Sequence, residues 1–432
     1  MVAALLAVEL AAATASAAGL RPGPAKVRPL DRTHASPVLG KHLDAAARTI
    51  AVRRLLAARA DAVLRKDRVA FLATVDPAEH GFRARQASYI DALRDVPLAS
   101  WTYRIDPDKE RSHTAALDAQ RGTWWSPDLT LRYAIAGFDR RPALQPQALT
   151  FVERGDRWYV AADDDFADTG HRTTRDLWDG GQVVVTRGAS CLVLGHPGQA
   201  RLVRKVLVDC DDAVPRVDAV WGLGWAQRVV VLVPDTTEEL ARIVPDAGDL
   251  SQIAAVATAE LVEPSSGYRP VGDRVLINPS TFPDLGPVGR RVVITHEVTH
   301  VASRGATGRE VPTWLVEGLA DYVGFLGLGV PVRAATEELR AELRAGKVPG
   351  RLPTDADFDG RNKALASAYE QSWLAVSLIV KRYGRDALLR LYREVGADDG
   401  EGALARRMQS VLHTTVPAFT AAWRVDLLRR LT

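Results

Sequence analysis

Two cysteines and two methionines are all the sulfur this 432-residue chain carries, and aromatic residues are only 6% of it. Two thiols cannot build a disulfide scaffold. They leave two readings open. Cys191 and Cys210 either close one loop of about 20 residues, worth about 3 kcal/mol, or stay as buried thiols, Cys191 on a strand and Cys210 on a helix. Excess charge of one sign is also missing. The 56 basic and 53 acidic residues leave a formal net charge of +3, so nothing electrostatic favours nucleic acid as a partner. Lysine is scarce, at 8 of the 56 basic residues. After the first 20 residues no apolar run is long enough to span a bilayer. The remaining composition, 47% hydrophobic and 25% charged, is that of a globular protein and excludes a collagenous, largely disordered or multi-span membrane chain.

The first 20 residues are small and apolar, with Glu9 as their single charge and an Ala15-Ser16-Ala17 run of signal-peptidase type. The segment contains no basic n-region and no lipobox cysteine. The expectation is export, with membrane proximity through this segment and a secreted or cell-surface location. Residues 18–40, with Pro22, Pro24, Pro29 and Pro37, read as a linker, so 1–40 lies outside the folded part.

A length of 432 residues suggests two or three domains. The first is expected over 41–165. A helix over about 43–66 places Leu43, Ile50, Leu55 and Leu56 on one side, and two further helical stretches end near Pro77 and residue 95. Strand patterns follow at 98–105, 114–125, 129–136, 148–153 and 157–161, with Arg154-Gly155-Asp156 as a turn. Helices followed by a curled antiparallel sheet make an α+β unit. Its element order and its closing Arg157-Trp158-Tyr159-Val160 strand resemble the cone-shaped nuclear-transport-factor-like or SnoaL-like domains. That resemblance implies an accessory or binding role. The polar run from Ala162-Asp163-Asp164-Asp165 to Asp179-Gly180-Gly181 reads as a boundary, with 166–182 as linker and a separable domain over 183–432. In that domain, strands are expected at 183–185, 191–194, 229–233 and 274–278, and helices at 198–218 and 236–243, the latter opened by Asp235. From about 288 the pattern is helical.

The chemistry lies in His296-Glu297-Val298-Thr299-His300. On a helix, residues four apart share a face, so both imidazoles reach one metal. Glu297 is then placed to act as general base toward a metal-activated water. A hydrolytic zinc site needs a third ligand and an open position. A third histidine in the pattern HExxHxxGxxH would require Gly at Ser303 and His at Ala306, and both fail. A carboxylate is available instead in Pro312-Thr313-Trp314-Leu315-Val316-Glu317-Gly318-Leu319-Ala320-Asp321-Tyr322. Glu317 is the candidate ligand. Asp321, four residues on, is the candidate hydrogen-bond partner of a ligating imidazole. Gly318 and Ala320 are small enough to let the two helices approach.

These residues resemble the gluzincin peptidases, in which HExxH is followed by Glu on the next helix. More narrowly, Trp314 to Tyr322 resembles the bacterial peptidase MA-like superfamily, over roughly residues 183–432. The resemblance implies an α+β catalytic domain with a small sheet, the HExxH helix and a helical C-terminal lobe closed by the Trp423 helix. It implies zinc on His296, His300 and Glu317, Glu297 as base, and a peptide or protein as substrate. The GxMEN motif that grips a free N-terminus in aminopeptidases is absent. Gluzincins commonly add a Tyr or His that stabilises the oxyanion. Tyr369 in Ala368-Tyr369-Glu370-Gln371 is the first candidate and His413 a weaker one, while Tyr322 is expected to pack. The family holds its substrate along an edge strand, for which Arg274–Asn278 is the candidate. The rival reading is a peptidase fold without turnover, serving as a cell-surface binding protein.

Overall fold

The computed structural model describes residues 37–245, 248–262 and 269–432. The signal-like segment therefore lies outside the described residues. Helix α1 (Pro37–Leu64) starts within the expected linker, since proline in the first turn of a helix forfeits no hydrogen bond. Its buried face is Val52, Leu56, Ala60 and Val63, spaced by three and four, whereas Ile50 is half exposed. Two short helices follow, α2 (Arg68–Leu72) and α3 (His80–Ala92).

Then come β1 (Leu98–Glu110), α4 (Ala115–Arg121), β2 (Trp124–Trp125), β3 (Pro127–Ile135), β4 (Ala143–Gln147), β5 (Thr150–Arg154) and β6 (Arg157–Ala162). The expected curled sheet is split in two, ordered β1-β3-β4 and β2-β5-β6. The strand expected from Thr114 is helix α4 instead, because the Thr114 hydroxyl caps it by accepting from the Leu117 amide. The β5–β6 hairpin closes with Arg154 opposite Arg157, and Gly155 supplies the positive φ such a short turn needs. Leu56, Phe82, Ile105, Trp125, Phe151 and Val160 form a core shared by helices and both sheets.

The second half opens with β7 (Val184–Arg187), β8 (Cys191–Gly195), α5 (Ala200–Trp221), β9 (Val229–Val233), α6 (Thr237–Ile243), β10 (Ala255–Val262) and β11 (Arg269–Ile277). Its sheet runs β10-β11-β9-β8-β7, with β8, β9 and β11 parallel and both outer strands antiparallel. Central β9 is buried along its whole length, as its unbroken Val/Leu run requires. Thr236, not Asp235, caps α6. Cys191 and Cys210 are bridged, tying β8 to α5. Helices α7 (Pro287–Ser303), α8 (Thr313–Phe325), α9 (Glu337–Arg344), α10 (Leu365–Tyr383), α11 (Arg385–Gly396), α12 (Ala403–Leu412) and α13 (Val416–Leu431) complete the chain, with Trp423 buried in the last.

The two halves share one core. Phe71, Trp101, Tyr133 and Trp178 belong to the same buried cluster as Cys191, Val193 and Val231. Buried Arg274 of β11 forms two 2.8 Å bonds to Asp139 of the first half. Gly272 passes so close to β4 that a Cβ there would sit 2.6 Å from that of Ala143. The polar run expected to be a linker carries Leu177 and Trp178 into this core, where a linker would make few contacts. Among the described residues no helix is long and apolar enough to cross a membrane.

Candidate metal centre

Beyond its first turn, helix α7 is buried all round. Every residue from Val292 to Ser303 is buried, so its valines and Ile294 fix its position and leave its polar side chains no contact with bulk water. It packs between α5 and α8 above the β10–β11 end of the sheet. Gly324 of α8 allows the approach to α7, since a Cβ there would lie 3.0 Å from the Val292 carbonyl. Gly318 serves a different neighbour than expected. Its Cβ would lie 2.5 Å from the Ser372 carbonyl of α10.

This packing brings three donor atoms to one point. His296 Nε2 and His300 Nε2 are 2.9 Å apart. Glu317 Oε2 lies 3.2 Å from the first and 3.3 Å from the second. Zinc bonds of about 2.0–2.2 Å in tetrahedral geometry place neighbouring donors about 3.3–3.5 Å apart, close to this spacing. Two imidazole nitrogens and a carboxylate suit zinc. Asp321 Oδ1 lies 2.8 Å from His296 Nδ1, an arrangement that holds the proton on Nδ1 and aims the Nε2 lone pair at the same point. Neither oxygen of Glu317 nor of Glu297 has a hydrogen-bond partner, although both residues are fully buried. Three carboxylates and two imidazoles thus share a water-poor pocket, which favours a bound cation.

The protonation equilibria reflect this crowding. Burial lifts Glu297 to about 8, with neighbouring Glu317 adding to the rise. Burial also pushes Glu317 up, but His300 and His296 outweigh it and draw Glu317 down to about 2. His296 would be lowered by burial, yet Asp321 and then Glu317 carry it well above the ordinary histidine range. Burial dominates for His300 and lowers it.

Tyr369, on α10, is buried with its ring centre 6.2 Å from that of His296. Phe358 packs edge-on against it at 5.3 Å. His413 is exposed and ends α12 in a left-handed conformation, apart from the buried cluster. Tyr322 packs against the core. Tyr392 of α11 escapes sequence reasoning, because it sits in an ordinary amphipathic helix. Its hydroxyl is 2.7 Å from the Thr307 Oγ1 just past α7, and burial raises it to about 12, with the charge of Glu317 contributing.

Arg274–Asn278 is not an edge. Strand β11 pairs on both sides, with β10 and β9, and the free edge on this side belongs to β10. Arg304, one turn beyond His300, holds both strands, donating to the Ala257 carbonyl of β10 at 2.9 Å and pairing with Asp273 of β11 at 2.8 Å. The alternation Ala255, Ala257, Ala259 gives β10 little of the bulky pattern by which strands are recognised.

No protein-family profile and no curated protein matches this chain. Among solved structures, an M1 zinc metallopeptidase from Deinococcus radiodurans is similar to it at 13% identity and a TM-score of 0.30, over 65% of this chain and 58% of that one. Mutant forms of a two-domain M1 zinc metallopeptidase, bound to L-tryptophan and to L-arginine, match at 12% identity and a TM-score of 0.29. The chain thus spans 58% of the length of the proteins it resembles. Likeness this remote says nothing of activity; the chemistry resides in the side chains of α7 and α8.

Proposed function

We propose that this chain is a zinc-dependent metallopeptidase-like hydrolase of gluzincin, peptidase MA-like type, acting on a peptide or protein. The observation that carries the reading is the convergence of His296 Nε2, His300 Nε2 and Glu317 Oε2 within 2.9–3.3 Å, beside a Glu297 carboxylate with neither oxygen engaged. His296, His300 and Glu317 would hold the ion. Zinc supplies Lewis acidity toward a carbonyl and lowers the pKa of a coordinated water. Glu297 would take the proton of the attacking water at a carboxylate oxygen and return it to the leaving amine. Tyr369, packed beside His296, is the candidate donor to the oxyanion. Asp321 orients His296. The β10 edge is the surface along which an extended peptide would bind, in place of Arg274–Asn278. The N-terminal unit, read as a cone-type accessory domain, takes no part in bond cleavage.

Glu297→Gln tests the reading. The amide keeps size and hydrogen-bonding capacity but accepts no proton. Zinc content and melting temperature should stay the same, while turnover on substrates found by proteomic profiling falls by at least about 10²-fold. Wild-type turnover in the variant would overturn the mechanism.

One observation favours the rival reading of a silent, peptidase-fold binding protein. The side chains of His296, His300 and Glu317 are at most 2% exposed, so a peptide has little access to them. That reading requires equal ligand affinity in both forms and product from neither. We also propose an exported protein. The buried Cys191–Cys210 bridge supports this, because disulfides persist in oxidising compartments.

A further inference from the structure

About half of the arginines described in the N-terminal unit have an acidic partner. Arg121 pairs with Glu79 and Asp165, Arg48 with Glu110, and Arg175 with Asp163 and Asp179. Three of those without one lie together. Arg53, Arg104 and Arg132 line a single cavity of ≈ 540 Å³ framed by α1, β1 and one residue of β3, and no carboxylate lines it. Among the described residues, none of the three guanidinium groups has an ion pair or hydrogen bond.

All three are exposed, and two of them are close neighbours. In the β1–β3 register Thr102 faces Arg132 and Arg104 faces Thr130. Arg104 and Arg132 are therefore diagonal neighbours on one face, within mutual reach, and like charges so placed repel. Arg53 brings a third positive charge from α1. Leu56 and Ala60, on the same helix, and Ile105 of β1 add apolar atoms at the floor of the cavity, each under a tenth exposed. Its volume falls within the range of small-molecule sites.

We infer that this cavity binds an amphiphilic oxyanion, a carboxylate or phosphate head held by Arg53, Arg104 and Arg132 with an apolar tail along Leu56, Ala60 and Ile105. Guanidinium is suited to both heads, since its planar fork of donors matches them in two-point contact. The site is independent of the metal centre. It gives the N-terminal unit a ligand of its own.

The test is calorimetric titration of the full chain with decanoate and with octyl phosphate, each below its critical micelle concentration. Decyltrimethylammonium serves as the cationic control and phosphatidylglycerol vesicles as a separate arm. One site per chain is expected for at least one of the two anions, and which one binds identifies the head. Arg104→Glu and Arg132→Glu should each weaken binding roughly tenfold or more, and His300→Ala should leave it unchanged. Both arginines are exposed, so folding should survive; Arg132→Gln, expected to weaken binding by a smaller factor, is the milder check. No saturable binding of either anion, equal binding of the cationic control, affinity indifferent to charge reversal, or binding to vesicles alone would each overturn the inference.

Discussion

At the scale of single residues, the two carboxylates of α8 have different tasks and should fail differently. Glu317→Ala removes a donor atom and is expected to strip the metal. Asp321→Asn leaves an acceptor for the His296 Nδ1 proton but loses its charge, so metal should remain, bound about 10–100-fold more weakly. Metal analysis after dialysis against a graded chelator separates the two; the reverse order would exchange their roles. A second pair gives a pH signature remote from the site. His196 Nε2 lies 2.8 Å from Glu239 Oε1, and both residues are buried. Burial opposes the charge on His196, but Glu239 outweighs it and raises the histidine; burial lifts Glu239, but His196 outweighs that and lowers the acid. A raised histidine contributes stability in full below its unfolded pKa of about 6.5 and loses it as pH climbs through the folded value. A lowered carboxylate contributes above about 4.3 and fails in acid. The melting-temperature gap between wild type and Glu239→Gln should therefore be widest near pH 5–6.5 and shrink toward pH 9. A gap that widens with pH would contradict the pairing.

At the scale of elements, the glycines of α8 make a graded test. Replacing Gly by Ala inside a helix ordinarily gains about 1 kcal/mol. At Gly318 the new methyl would meet the Ser372 carbonyl at 2.5 Å, and backbone cannot swing aside as a side chain can. Overpacking of this kind costs about 1–3 kcal/mol, so Gly318→Ala should lower the melting temperature. Gly324→Ala, with its nearest atom at 3.0 Å, should lower it less or leave it unchanged; a rise for Gly318→Ala would refute the close α8–α10 contact. Which elements could be read from sequence follows a physical rule. Helix α7, β9 and α5 were legible because each has a strong apolar pattern and clear ends. The proximity of His296 to His300 was legible because helical spacing alone brings them together. Strands β4 and β10 were not, since their residues are small or polar and acquire strand geometry only from their neighbours. Nor were the partners of Gly318 or the position of Tyr392, which depend on how α8, α10 and α11 pack. The splitting of the N-terminal sheet depends likewise on long-range pairing that no local window contains.

At the scale of the whole molecule, the boundary at 162–181 divides the sequence more cleanly than it divides the fold. A chain beginning at 182 would leave Arg274 without Asp139 and uncover the sheet face that Tyr133 and Ala143 now cover. A buried cation stripped of its partner costs about 3–5 kcal/mol. Such a chain is therefore expected to be poorly soluble, or to melt well below the full protein, and Asp139→Ala should destabilise the full chain in the same direction. A truncated chain that folds, binds zinc and melts with the parent would show the shared core to be dispensable.

The position of the bridge has a consequence for this assembly. Cys191 and Cys210 are 19 residues apart and both lie in the second half, and the His296–His300–Glu317 cluster also closes only a short stretch. Neither crosses to the first half. The halves are joined covalently by one strand of main chain, which surfaces at exposed residues 168–172. Cleavage after Arg172 would cut that connection without touching the core around Trp178. The products should migrate as two bands on a denaturing gel and elute as one particle from a sizing column. The protein would then be a two-piece complex held together by its shared core alone.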